Sequence, residues 1–167
     1  LRALAWPTGA FIANGAVTIV EALRGDPFPF HQKNQLLRNT AKGGFEDVTR
    51  EAGPAMQLSE VSRGAAFGDV DNDGTMDVVV ANANGPARLL LNRAGGRQHW
   101  LGLRLVGPKQ APRDMLGTRV AVRRTDGLTL WRRARADGSY ASANDPRVLV
   151  GLGASAGPVG VRVIWPD

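Results

Sequence analysis

A short acidic segment carries the clearest chemistry in this sequence. Acidic residues occupy its first, third, fifth and ninth positions, and glycine occupies the sixth: Asp69-Val70-Asp71-Asn72-Asp73-Gly74-Thr75-Met76-Asp77. Carboxylates this close repel one another unless a cation lies between them. Calcium suits such a loop because it takes about six to eight oxygen ligands in flexible geometry. We therefore predict one Ca²⁺ site, in which the aspartates supply side-chain oxygens and Thr75 its backbone carbonyl.

The residues around this loop predict strands rather than helices. An EF-hand would need a glutamate at the twelfth loop position, which is Val80 here, and a helix after the loop. Instead, the apolar residues 64–68 precede the loop and the β-branched residues 78–81 follow it, a pattern typical of buried strands. The alternative to a metal site is a solvated acidic turn between those strands.

Beyond the loop, the chain resembles a known family. Residues 63–74, Arg-Gly-Ala-Ala-Phe-Gly-Asp-Val-Asp-Asn-Asp-Gly, and residues 77–82, Asp-Val-Val-Val-Ala-Asn, resemble an FG-GAP (integrin-α-like) β-propeller repeat, and residues 45–53 resemble the connector between blades. Residues 116–120, 151–153 and 161–166 resemble the ASPIC/UnbV domain, which follows such repeats in cartilage-acidic-protein-like secreted proteins. The resemblance implies an all-β chain, with the C-terminal blades of a β-propeller at 1–96 and a small domain at 97–167. It also implies calcium between the first two strands of a blade, and a secreted, extracellular or periplasmic location.

Internal repetition is consistent with propeller blades. Residues 11–15 echo 79–82, and residues 34–39 echo 87–92. The first copy carries an insertion at about 16–33, and residues 1–9 lack the acidic pattern, so we expect one metal site in the chain. Closed propellers usually have about four to eight blades. We therefore expect the missing blades to lie upstream in the same polypeptide or to come from partner chains.

The composition changes near Gly95-Gly96. Residues 1–96 have a net charge of −1, whereas residues 97–167 have a net charge of +7. In the basic half, alternating and β-branched segments at 99–106, 118–124, 128–136, 147–152 and 159–165 predict strands, with Gly, Pro, Asp and Asn between them. Short strands at this spacing predict a small antiparallel β-sandwich.

The basic half also contains candidate ligand-binding residues. Its arginines alternate with apolar residues, so many are expected on the solvent face of the sheet. Arg132, Arg135 and Tyr140 are candidates for binding an acidic protein or an anionic glycan, and a solvated strand face is the alternative. Nucleic acid is disfavoured because the chain has one tyrosine and no aromatic ladder for base stacking. For Trp100, Trp131 and Trp165 we favour core positions over a sugar-binding surface.

The sequence favours binding over catalysis. It has no cysteine, and its two histidines, His31 and His99, lie in no catalytic or zinc motif. Asp114, Asp137 and Asp145 could form an acid/base pair, but each is also a typical turn residue. No apolar run approaches the roughly 18 residues of a membrane span. We therefore predict a calcium-binding module for adhesion or assembly. The alternatives are an accessory enzyme or scaffold resembling those of enediyne-like natural-product biosynthesis, and a structural subunit of an extracellular assembly.

Overall fold

The computed structural model describes residues 9–16, 30–40, 42–94, 98–110 and 112–166. These residues form antiparallel strands and a short 3₁₀ helix at Pro54–Gln57, which confirms the all-β prediction. The strands are β1 (Gly9–Ile12), β2 (Gln32–Lys33), β3 (Gln35–Asn39), β4 (Phe45–Asp47), β5 (Ser59–Glu60), β6 (Ser62–Gly68), β7 (Asp77–Asn82), β8 (Arg88–Leu90), β9 (His99–Leu103), β10 (Arg119–Arg123), β11 (Thr129–Arg133), β12 (Val148–Gly153) and β13 (Gly160–Ile164). No helix within the described ranges is long and apolar enough to cross a membrane.

Three sequence predictions fall wholly or largely outside the described residues. The non-acidic segment at 1–9 is described only at residue 9, and the insertion at 16–33 only at its two ends. The predicted domain boundary near Gly95-Gly96 lies in the gap at 95–97. These three interpretations stay predictions.

The repeated segments form matching pairs of strands. In the first copy β1 pairs antiparallel with β3, placing Phe11 opposite Leu36. In the second copy β7 pairs antiparallel with β8, placing Val79 opposite Leu89. Strand β4 extends the first sheet to the order β1-β3-β4, and β6 extends the second to β6-β7-β8. Each copy therefore contributes three described strands to its own sheet.

Strand β7 alternates between the core and solvent. Val78 and Val80 are 4% and 0% exposed, whereas Val79 is 41% exposed. Only one face of the strand is buried, because successive side chains in a strand point to opposite faces. The predicted strand at residues 78–81 is therefore present, and it is buried on one face only. The buried face packs into a cluster that joins the two sheets: Leu36, Val48, Ala52, Met56, Ala65, Val78, Val80 and Leu90.

The C-terminal half builds a second core between two sheets. One sheet has the order β11-β10-β13 and the other pairs β12 with β9. Their facing side chains form one cluster, whose buried members are Leu105, Val120, Val122, Ala134, Val148, Val150 and Leu152. Burying each of these valines stabilises the fold by roughly 1.5–3 kcal/mol. Each of the five strands begins and ends within the corresponding predicted segment or within one residue of it.

The aromatic side chains are not in this core. Trp100, Trp131 and Trp165 are 39%, 53% and 50% exposed, so the prediction that they fill the core is wrong. Branched aliphatic side chains such as Val120, Val122 and Val150 fill the space between the sheets. Trp131 lies opposite Ala121 in the β10–β11 register, one position away from the inward-facing valines. Its ring therefore belongs to the outer face of the sheet.

Glu60 connects three strands and should contribute to stability against acid. Arg88 Nη2 lies 2.6 Å from Glu60 Oε1, and Asn82 Nδ2 donates to Glu60 Oε2 at 2.9 Å. The Arg88 hydrogen bonds lower the pKa of Glu60 from its ordinary value of 4.5. Because the folded pKa is the lower one, this contribution is complete above pH 4.5 and is lost as the pH falls through the lowered value.

We expect Glu60→Gln to flatten the acid dependence of stability. Urea unfolding at several pH values between about 6 and 3 should show a smaller loss for the variant than for the wild type, because the variant cannot take up this proton. The remaining loss belongs to other carboxylates, such as Asp47, whose hydrogen bonds to Thr49 also lower its pKa. Parallel curves for both proteins would contradict a role for Glu60.

Candidate metal centre

The acidic loop connects β6 to β7, and the pairing of these strands brings its two ends together. Gly68 and Asp77 are partners in the antiparallel register, so Asp69 follows one strand directly beside the start of the other. Asn72 and Gly74 adopt left-handed backbone conformations, with φ of 56° and 85°. Such residues curl a chain tightly, and asparagine and glycine adopt this conformation most readily. The loop therefore folds its acidic side chains over the end of the hairpin.

Three of the four predicted carboxylates converge. Asp69, Asp71 and Asp77 each offer an oxygen, and these oxygens all lie within 4.8 Å of one another. Asp69 and Asp77 are buried, with 6% and 0% exposure, and Asp71 is exposed to solvent. Burying two carboxylates side by side is unfavourable unless positive charge or hydrogen bonds compensate them. The cluster has the donor set of a site for a hard metal ion.

Backbone amides orient the two buried carboxylates. Asp69 accepts hydrogen bonds from the amides of Asp73 and Gly74, both at 3.0 Å. Asp77 accepts from Val70 at 2.9 Å and from Asn92 at 2.8 Å. Each carboxylate oxygen has two lone pairs, so one such bond leaves it able to bind a cation as well. These contacts close the loop on itself and hold its ligand atoms in place.

Asp73 and Thr75 lie beside the cluster and contact each other. Asp73 Oδ1 accepts the Thr75 amide at 2.8 Å and lies 2.6 Å from Thr75 Oγ1. The same hydroxyl lies 2.7 Å from the carbonyl oxygen of Asn92, so its single proton can be donated to either acceptor. Asp73 is not part of the converging group. Metal coordination by Asp73 and by the Thr75 carbonyl stays a prediction.

Arg93, which the sequence did not point to, partly neutralises the negative charge of the acidic loop. Arg93 Nη1 lies 2.8 Å from Asp71 Oδ2 and 3.8 Å from Asp73 Oδ2. The arginine side chain is 62% exposed, so solvent screens this pair strongly. Arg93 lies just beyond β8, and only the packing of β8 beside β7 brings it to the loop. No local sequence signal indicated that contact.

Comparison with known families assigns both halves of the chain. Residues 23–80 match the model of the FG-GAP-like repeat, and residues 107–167 match the model named ASPIC and UnbV. The two matches support a description of the chain as an FG-GAP-like repeat at residues 23–80 and an ASPIC/UnbV domain at residues 107–167. The match confirms the resemblance inferred from the sequence, and it places the whole acidic loop within the FG-GAP-like repeat. No curated protein matches the chain.

The ASPIC/UnbV domain contacts the acidic loop directly. Arg147 donates from Nη1 to Asn72 Oδ1 and from Nη2 to the backbone oxygen of Asp69, both at 2.6 Å. Its Nε donates to Asp145 Oδ2, also at 2.6 Å. Burial alone would raise the pKa of Asp145, but hydrogen bonds and charge from Arg147 hold it below its ordinary value. Arg147 therefore connects the ionised carboxylate of Asp145 in this domain to the acidic loop of the repeat.

A segment of the ASPIC/UnbV domain also covers the outer edge of β6. The amide of Ala65 donates to Ser139 Oγ at 3.3 Å, and the amide of Phe67 donates to Asn144 Oδ1 at 3.0 Å. The amide of Asp145 donates to the Phe67 carbonyl at 2.8 Å. An unpaired strand edge is a site of unwanted association, and these contacts cover it. The acidic loop and β6 together thus form the contact between the two matched regions.

The three candidate ligand residues lie in different surroundings. Tyr140 is 76% exposed, in agreement with its predicted position in a polar turn. Arg135 is also exposed, and its Nε lies 3.5 Å from Asp137 Oδ1. Arg132 is half-buried and lies opposite Val120, whose side chain is in the core. The expectation that the arginines share the solvent face is therefore wrong for Arg132.

Proposed function

We propose that the acidic loop binds one Ca²⁺ and that this ion stabilises the chain as a binding module. The convergence of Asp69, Asp71 and Asp77 carries the proposal. The ligand atoms are all oxygens, which favours calcium over metals that prefer nitrogen or sulfur. The contacts of Arg147 with the loop suggest that the ion would also support docking of the ASPIC/UnbV domain. In this role the ion is structural and takes no part in a reaction.

Several observations support binding rather than catalysis as the activity. The described surface carries exposed aromatic residues and unpaired arginines, which are common at recognition sites. Asp145, one of the candidate acid/base residues, is engaged by Arg147 and held ionised. We propose a secreted or periplasmic module for adhesion or assembly. Its partners would be proteins, anionic glycans, or the further blades, in the same polypeptide or in partner chains, that complete a propeller.

Calcium should stabilise the protein, and chelation should reverse the effect. At a free Ca²⁺ concentration about 100 times Kd, the free energy of unfolding should rise by about 2.7 kcal/mol, because the ion binds the folded loop and not the unfolded chain. Thermal and urea unfolding in EDTA and in increasing Ca²⁺ would measure this. Mg²⁺ should be less effective, since it requires near-octahedral geometry and gives up its water reluctantly.

A matched variant separates loop binding from general salt effects. Asp71→Asn removes the exposed carboxylate of the cluster and leaves the backbone contacts of Asp69 and Asp77 in place. It should abolish most of the calcium-dependent rise. Identical unfolding curves for the wild type in EDTA and in Ca²⁺ would refute the proposed site.

A further inference from the structure

A cleft with positive charge separates the FG-GAP-like repeat from the ASPIC/UnbV domain. Its volume is about 570 Å³, within the range of small-molecule sites. One wall contains Phe67 and Met76 from the repeat and Phe11 from β1, which precedes the matched residues. The opposite wall contains strand β11 and the segment that leads into β12. Met76 of the acidic loop lines the cleft, but the three converging carboxylates of that loop do not.

Arginine dominates the charge of the cleft. Arg132, Arg133, Arg135 and Arg147 line it, together with a single carboxylate from Asp145. Arg147 is paired with Asp145, and Arg135 lies near Asp137. Arg132 and Arg133 form no ion pair with any residue in the described ranges. The cleft therefore carries positive charge that its own carboxylates do not balance.

Among the arginines that line the cleft without an ion pair, Arg132 is the less exposed one, so its charge is the less well solvated. It lies opposite Val120 in the β10–β11 register, so its side chain leaves the strand on the same face as the core valines. Its Nη1 donates to the backbone oxygen of Trp131 at 2.8 Å, and this is its one hydrogen bond to the described chain. Burial lowers the pKa of Arg132. A half-buried guanidinium with one neutral acceptor retains several donors for an oxyanion.

The apolar wall indicates what the rest of the ligand resembles. Phe11 and Phe67 pack edge to face, with ring centroids 6.3 Å apart and an interplanar angle of 81°. Met76 also lines the cleft and adds to this apolar surface. A bare inorganic anion would leave these surfaces uncovered. An organic body carrying one oxyanion would bury them and also pair with the guanidinium.

We propose that this cleft is a binding site for a small organic carboxylate. The planar guanidinium of Arg132 binds the carboxylate through paired N–H donors. The apolar body of the ligand lies against the Phe11–Phe67 pair and Met76. The site is independent of the proposed calcium loop, since no carboxylate of the metal cluster lines the cleft.

Two probes of equal shape test the proposal by isothermal titration calorimetry. Naphthalene-2-carboxylate carries the charge, and naphthalene-2-carboxamide is its neutral counterpart. The wild type should bind the carboxylate more tightly. Arg132→Gln should weaken carboxylate binding by about tenfold or more, because hydrogen bonds to charged groups are the strong ones. The same variant should change binding of the carboxamide by much less, about threefold or below, since the neutral probe carries no negative charge to pair with the guanidinium.

Two further arginine variants complete the test, one as a control outside the cleft and one as a second probe inside it. Arg123→Gln removes the same charge from the exposed end of β10, opposite Thr129 and outside the cleft, and should leave both affinities unchanged. Arg135→Gln removes an exposed arginine that lines the cleft, and should weaken carboxylate binding even if Arg132→Gln impairs folding. Thermal unfolding of each variant checks its stability. Equal affinities for the two probes, equal losses in the Arg123 and Arg132 variants, or no saturable binding at millimolar concentration would each overturn the proposal.

Discussion

Replacing Asp77 by alanine should lower the free energy of unfolding by about 1–4 kcal/mol even when calcium is absent, because the change leaves the buried amide of Asn92 and the part-buried amide of Val70 without an acceptor. Asp77 is fully buried and accepts hydrogen bonds from Val70 and Asn92. Each orphaned buried donor costs about 1–3 kcal/mol. Urea unfolding in EDTA measures the effect without any contribution from metal.

Asp71→Asn is the matched control for this variant. Asp71 is exposed, and the partner of its carboxylate in the described chain is Arg93. Exposed ion pairs contribute about 0–1 kcal/mol, so in EDTA this variant should be nearly as stable as the wild type. Both variants should lose the calcium-dependent rise in stability. If the two were equally stable in EDTA, Asp77 would not have the structural role that its hydrogen bonds indicate.

Gly74→Ala should destabilise the protein by about 2–4 kcal/mol, because it combines backbone strain with overlap against a ring. Gly74 has a φ of 85°, which costs about 1 kcal/mol or more for any residue with a Cβ. An added Cβ would also overlap the indole ring of Trp100, which lies over the loop. Relief of that overlap requires movement of the loop or of β9, and such overpacking costs about 1–3 kcal/mol more.

Gly127→Ala separates the two contributions. Gly127 has almost the same backbone conformation, with a φ of 87°, and no atom lies within 4 Å of an added Cβ. In this control the free energy of unfolding should fall by about 1 kcal/mol, the cost of the left-handed backbone conformation alone. Adding Trp100→Ala to the Gly74→Ala protein should recover part of its lost stability by removing the overlap. Equal losses in the two glycine variants, measured by urea unfolding, would show that Trp100 does not constrain the loop.

The acidic loop and most of the strands could be predicted from the sequence because their signals are local. The spacing of Asp69, Asp71 and Asp77 within one short loop almost requires their side chains to approach one another once the flanking strands pair. The β-strands of the C-terminal half follow from alternating side chains between turn residues. These features depend on residues that are only a few positions apart. The spacing of aspartates and the alternation of apolar and polar residues can therefore be read directly from the sequence.

The sequence predicted less well which side chains are buried. It placed Trp100, Trp131 and Trp165 in the core, where the structure has valines and leucines. It placed many of the arginines on the solvent face but could not single out Arg132, which shares a face with Val120. Hydrophobicity indicates that a residue can be buried, but strand register decides whether it is.

The sequence by itself determined the acidic loop from which three carboxylates converge, the all-β architecture and the resemblance to two families. Only the tertiary structure decided that Arg93 and Arg147 reach the acidic loop, that residues 139–145 cover β6, and that Arg132 enters a cleft between the two regions. Those contacts join residues up to 78 positions apart in the chain. They arise because the N-terminal and C-terminal regions, each with its own hydrophobic core, pack against each other. No local sequence pattern indicates which residues of the two regions come into contact.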